Sequence, residues 1–147
     1  MKKILSKSVK ETHKVAKDIA KNLKRGDVLA LVGDLGGGKT TFVKGLTHAL
    51  GIKEEVQSPT FTLIREYQIK NQEAGSKKQI GKIYHMDMYR LKNESDAMEL
   101  GLEEIFAGRT AICLIEWADK IKKILPKHTK FIEFDFVDET TRRIIIK

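Results

Sequence analysis

The sequence is poor in the residues that staple or interrupt a chain. Its 147 residues hold one cysteine, Cys113, so no intramolecular disulfide can form, and a reducing compartment fits that usage. Two prolines leave no room for a polyproline linker. No window approaches the run of about 18 apolar residues that a membrane span needs. The start, M-K-K-I-L-S-K-S-V-K, is charged but lacks the apolar stretch of a secretory signal. Internal repeats and low-complexity tracts are absent as well. The expectation is a soluble, cytoplasmic protein with no membrane partner.

What is present is globular in character. A hydrophobic share of 41% beside 33% charged residues excludes a disordered chain. The length favours one domain over residues 1–147. A chain of this size buries roughly 70% of its unfolded surface, so it needs no metal or disulfide to hold it. Lysine and arginine exceed aspartate and glutamate by eight. That excess favours a polyanionic partner such as nucleic acid, nucleotide phosphates or an acidic protein, without choosing among them.

Along the chain, Lys2 to Ser6 reads as a short edge strand. Ser8 and Glu11 have capping-box spacing, and Val15, Ile19 and Leu23 recur every four residues, which predicts an amphipathic helix ending at Gly26. Lys10, Lys14, Lys17, Lys21 and Lys24 mark its solvated face. Asp27 to Val32 is a continuous apolar run, suited to a strand buried on both faces. Lys39 to Leu50 is helical in pattern, with Gly51 as a stop. Phe61 to Ile69 and Lys82 to Tyr89 read as paired strands around a polar loop. Ser95 to Phe106 reads as one or two short helices broken at Gly101. Thr110 to Ile115 is a second buried strand, followed by a short helix from Ala118 to Leu125 that Pro126 stops. Phe131 to Val137 and Arg142 to Ile146 close the chain as a hairpin. Buried strands alternating with helices predict an α/β fold of three layers, and the hairpins make its largely parallel sheet mixed.

The strongest motif is Gly33-Asp34-Leu35-Gly36-Gly37-Gly38-Lys39-Thr40, which meets G-x-x-x-x-G-K-[ST] at every fixed position. Chance alone would place it in roughly one of 200 chains of this size, and the strand before and helix after it lower those odds further. Glycines let backbone N–H groups curl round phosphates, Lys39 would neutralise the β- and γ-phosphates, and the Thr40 hydroxyl would ligate Mg²⁺. Thr41 adds a further phosphate contact. The bland alternative is a glycine-rich turn with an incidental lysine.

Hydrolysis also needs an acid at the metal and a group to orient water. Glu116 ends the apolar strand Ala111 to Ile115, and Asp87 ends Ile83 to Met86. Both are candidates, and spacing does not tell which is the direct ligand. Thr60 lies in a loop where a nucleotide-sensing switch would sit. His85 shares a strand face with Asp87 and reads as structural. Trp117 is core or contact surface, and Cys113 is buried filler.

With these residues located, the chain resembles the bacterial TsaE family (also called YjeE). The resemblance rests on ordered motifs: G-D-L-G-G-G-K-T-T at 33–41, S-P-T-F-T-L at 58–63, H-M-D-M-Y-R-L at 85–91, G-L-E-E-I-F at 101–106 and I-C-L-I-E-W at 112–117. It implies a P-loop fold and an ATP- and Mg²⁺-dependent ATPase with little activity alone. It implies association with a TsaB–TsaD pair, which transfers a threonylcarbamoyl group to an adenosine beside the tRNA anticodon, so that tRNA is met through the complex. By residue, it implies that Lys39 and Thr40 contact phosphate and Mg²⁺, that Glu116 is the acid at the metal, that Asp87 and Trp117 are functionally required, and that Thr60 belongs to a switch-like loop. Lys70 to Ile80, with Lys70, Lys77 and Lys78, is longer than the usual connection in such proteins. The C-terminal hairpin is only loosely similar, so no adenine contacts are assigned from it. Two other readings differ in class: a small-molecule kinase with Asp87 as base, for which Arg90 and Arg109 are available but no arginine-rich lid segment is present, and a nucleotide-dependent module that binds tRNA directly through its lysine-rich surface.

Overall fold

The computed structural model describes residues 1–34, 36–59, 63–69 and 80–147. Among the described residues, seven strands form one sheet: β1 (Lys2–Ser6), β2 (Val28–Gly33), β3 (Ile64–Gln68), β4 (Lys82–Asp87), β5 (Ala111–Glu116), β6 (Lys130–Phe136) and β7 (Arg142–Ile146). Their order is β1-β7-β6-β2-β5-β4-β3. The central four, β6-β2-β5-β4, run parallel, whereas β1, β7 and β3 add antiparallel edges. The parallel part of the sheet is thus confined to its middle.

Strand alternation divides the core into two layers. Leu29, Leu31, Ile112 and Leu114 face one side, where they meet Ala16 and Ala20 of α1 (Val9–Ala20) and Phe42, Val43 and Leu46 of α2 (Lys39–Ala49). Val28, Ala30, Cys113 and Ile115 face the other side. There they meet Ala97 of α3 (Glu94–Glu99), Leu102 and Phe106 of α4 (Leu102–Gly108), and Ala118 and Ile121 of a 3₁₀ helix, Ala118–Ile124. Continuous apolar strands are what a sheet covered on both faces requires.

The local signals act where they stand. Ser8 caps α1, its hydroxyl accepting the Glu11 N–H at 3.0 Å, while Glu11 accepts the Lys7 N–H at 2.6 Å. Gly101 has φ of +76° and separates α3 from α4. α1 ends at Ala20 rather than Gly26. Asn22 and Leu23 donate three residues back, to Ile19 and Ala20, and the Asp27 carboxylate accepts the Lys24 N–H at 3.0 Å. Leu23 therefore reaches the core from a turn. The segment after β5 is a 3₁₀ helix kinked at Ile121, not a regular α-helix. The expected strand start at Phe61 and the polar loop of residues 70–79 lie outside the described residues. Among the described residues, no helix is long and apolar enough to cross a membrane.

Candidate nucleotide site

β2, β4 and β5 are parallel neighbours, so their carboxyl ends open on one edge of the sheet, where ligands of such folds bind. The glycine loop leaves β2 there and turns into α2. Its glycines answer a steric need. A Cβ on Gly33 (φ +139°) would lie 2.2 Å from the Phe134 carbonyl oxygen of β6, and one on Gly37 would lie 3.0 Å from the same atom. Gly38 caps α2 in the left-handed region with no side-chain cap. The first N–H groups of α2 thus face the cleft without a side chain competing for them, which favours an anion. Leu35 lies outside the described residues.

Lys39 is 6% exposed. Its ammonium donates to the Gly33 carbonyl and, at 3.0 Å, to the Asp34 carbonyl, and lies 4.1 Å from the centroid of the Trp117 ring. Burial holds it below the usual lysine value, against the opposing fields of Glu116, Asp119, Asp34 and Asp87. Charged phosphate oxygens are stronger acceptors than the two neutral carbonyls, so the ammonium can exchange one set for the other.

The acids predicted from sequence meet at this edge. Asp87 and Glu116 are direct partners in the β4–β5 register, which puts both side chains on the α2 side. The Thr40 hydroxyl donates to Glu116 Oε1 at 3.0 Å across 76 residues of sequence. Asp87 accepts the Ser58 hydroxyl at 2.7 Å on one oxygen and the Tyr89 N–H at 2.9 Å on the other. Trp117 follows Glu116 with φ of +58°, an uncommon conformation for a bulky residue, and packs on Tyr89 with ring centroids 5.0 Å apart. Thr41 lines the same cleft. Thr60 lies outside the described residues.

The cleft has a volume of about 750 Å³, within the range of small-molecule sites. Beyond the glycine loop it is walled by Lys7 to Val9 and Thr12 at the start of α1, and by Glu139, Thr140 and Arg142 at the β6–β7 turn. Sequence reasoning missed these walls, because nothing local marks a helix start or a hairpin turn as facing a glycine loop so far away along the chain. It also missed Ser58. His85, read as structural, has its Nε2 2.6 Å from Glu116 Oε2. The H-x-D alternation that puts it on Asp87's face was the signal available.

The donor set suits Mg²⁺. Thr40, Glu116 and Asp87 offer hydroxyl and carboxylate oxygens, as a hard cation prefers. Among the described residues, no three His, Cys, Asp or Glu gather into a cage. Arg109 sits elsewhere: it packs against Gly26 ahead of β2, at the opposite end of the sheet from the glycine loop.

Comparisons with known proteins point to one family and one fold. The family model of the threonylcarbamoyl adenosine biosynthesis protein TsaE matches residues 6–145. The tRNA threonylcarbamoyladenosine biosynthesis protein TsaE of Bacillus subtilis (strain 168) is 48% identical over 117 residues, covering 80% of this chain and 66% of that protein. The protein of the same name from Treponema pallidum (strain Nichols) is 36% identical over 144 residues, 97% of each chain. The fold is similar to the crystal structure of YdiB from Bacillus subtilis, with a TM-score of 0.78 and 38% identity, covering 99% of this chain and 83% of that one.

Proposed function

This chain belongs to the TsaE family, and from that premise we propose that it is a Mg²⁺-dependent ATPase of a tRNA-modifying assembly, working as a single cytoplasmic domain. It serves formation of threonylcarbamoyladenosine beside the anticodon by acting on a TsaB–TsaD complex, and does not transfer the group itself. It meets tRNA through that complex. Bound Mg²⁺ would neutralise phosphate charge beside Thr40 and Glu116.

The observation that carries the reading is the Thr40–Glu116 hydrogen bond at 3.0 Å, which joins the end of the glycine loop to the acid that ends β5. By accepting the hydroxyl proton, Glu116 leaves the Thr40 oxygen lone pairs available to a cation. The loop amides of residues 36–41 bind the phosphates, and Lys39 spreads positive charge over their outer oxygens as charge shifts in phosphoryl transfer. Asp87, held by Ser58 and the Tyr89 N–H, orients water for attack. Trp117 covers Lys39 and, with Thr60, couples the site to the partner proteins. The placement of Arg109 away from the loop removes one of the two arginines a kinase reading would use.

The test is ATP turnover with and without a TsaB–TsaD pair. Stimulated phosphate release by the unmodified protein, and its loss with retained nucleotide binding in Glu116→Ala, is the expected result. Phosphate passing to an added small-molecule hydroxyl instead would favour the kinase.

A further inference from the structure

Resting on the reading of the cleft as a Mg²⁺-nucleotide site, we infer that His85 is a positioning residue that fixes the carboxylate of Glu116 and through it the hydroxyl of Thr40. His85 is wholly buried on β4, and Glu116 is 2% exposed on β5. The imidazole Nε2 lies 2.6 Å from Glu116 Oε2, and the Thr40 hydroxyl lies 3.0 Å from Oε1. Each carboxylate oxygen is therefore held by a different element, one by β4 and one by the first turn of α2. A carboxylate held at both ends cannot rotate about its last side-chain bond.

A carboxylate oxygen accepts, so Nε2 is the donor of this contact. Among the described residues Nδ1 has no partner. Ile83, two residues back on the same strand face, and Leu114, opposite in the β4–β5 register, are both fully buried, while Asp87 lies two residues on along that face and the exposed Arg65 is its register partner on β3. An apolar side chain of similar volume would fill such a position without the cost of desolvating a polar pair, and such replacements are often neutral or stabilising. Packing therefore gives no reason for an imidazole here, whereas aiming a ligand-bearing carboxylate does.

The consequence is specific. Without the His85 N–H, Glu116 can turn, Thr40 loses its fixed acceptor, and the hydroxyl no longer presents its lone pairs to the cation. The amides and Lys39 that hold the phosphates are untouched. The loss should therefore fall on the affinity that Mg²⁺ adds, not on metal-free nucleotide binding.

Calorimetric titration with a non-hydrolysable ATP analogue, once in EDTA and once in Mg²⁺, separates the two. His85→Leu should bind within about threefold of the unmodified protein in EDTA and lose at least about tenfold of the gain from Mg²⁺. His85→Gln, whose amide N–H can reach Oε2, should restore that gain to within about threefold. An unchanged gain in His85→Leu, or an equal loss in EDTA and Mg²⁺, would overturn the assignment. Should His85→Leu not fold, His85→Gln is compared with His85→Asn, whose shorter amide cannot reach Oε2; equal gains in those two would likewise overturn it. An unmodified protein that binds no nucleotide in either buffer would instead sink the underlying site reading.

Discussion

The ammonium of Lys39 lies 4.1 Å from the ring centroid of Trp117, a cation over the face of the chain's single tryptophan. The Trp117 ring packs on Tyr89, whose carbonyl accepts from Lys120. Lys39 of the glycine loop is therefore in contact with an aromatic pair that lines the same cleft.

That contact makes Trp117 a reporter. If phosphate draws the ammonium away from the ring, the indole's surroundings change. Titration with Mg²⁺-ATP should alter the intrinsic emission of the protein, and Lys39→Met should abolish the response. Lys39→Met should also weaken nucleotide binding by at least about 100-fold, on the scale of a lost buried charge contact to phosphate. Burial disfavours the charged form of Lys39, so its removal should leave the melting temperature unchanged or higher. A large fall in melting temperature would contradict this.

Two glycines should behave in opposite ways. Gly33→Ala forces a Cβ to 2.2 Å from the Phe134 carbonyl oxygen at a φ of +139°, so β2 and β6 must part. Chemical denaturation should register a loss of about 3 kcal/mol or more. Gly81→Ala meets nothing within 4 Å. It should be neutral or stabilise by about 0.5 kcal/mol through the unfolded chain.

The β6–β7 turn is tied by Asp138, whose carboxylate accepts the N–H groups of Thr140 at 3.0 Å and Thr141 at 2.8 Å. The Thr140 N–H foremost, with Thr141, holds the Asp138 carboxyl below the usual range. A depressed carboxyl favours the fold above its unfolded value and loses that contribution as pH falls through the folded one. Asp138→Ala should loosen the turn that carries Thr140 and Arg142 into the cleft. Nucleotide affinity should drop about three- to tenfold, since the substitution removes the hydrogen bonds that Thr140 and Thr141 donate to this carboxylate but touches the site only through the turn, and Asp138→Asn should recover part of it.

Cys113 lies 2% exposed in β5, and burial pushes its thiol up to about 12. Alkylation of the native protein at pH 8 should be at least about 1,000-fold slower than in denaturant, where the thiol titrates near 8.5. The buried neutral thiol supports the fold below about pH 8.5, and that contribution declines as pH rises toward 12. Rapid labelling of folded protein would show that β5 opens locally.

Much of this molecule follows from neighbours along the chain. The Ser8–Glu11 cap and the break at Gly101 rest on interactions within a few residues, and the two apolar strands and the loop from Gly33 to Thr40 carry local signatures even though distant residues hold them in place. α1 gives way at Asn22 and Leu23 to bonds three residues back, and the Asp27 carboxylate then takes the Lys24 N–H, none of which is visible in the period of its apolar residues. The kinked 3₁₀ helix behind Trp117 likewise departs from its helical pattern.

The site divides along the same line. Local sequence named Lys39, Thr40, Asp87 and Glu116, because a glycine loop and acids ending apolar strands are local signatures, whereas Trp117 was marked only by the family resemblance. Only the folded sheet decided that β4 lies beside β5, and so that Asp87 pairs with Glu116 and His85 reaches its second oxygen. Strand order is set by how whole elements pack, and hydrogen bonds between residues 31 and 76 positions apart leave no trace in the spacing along either segment.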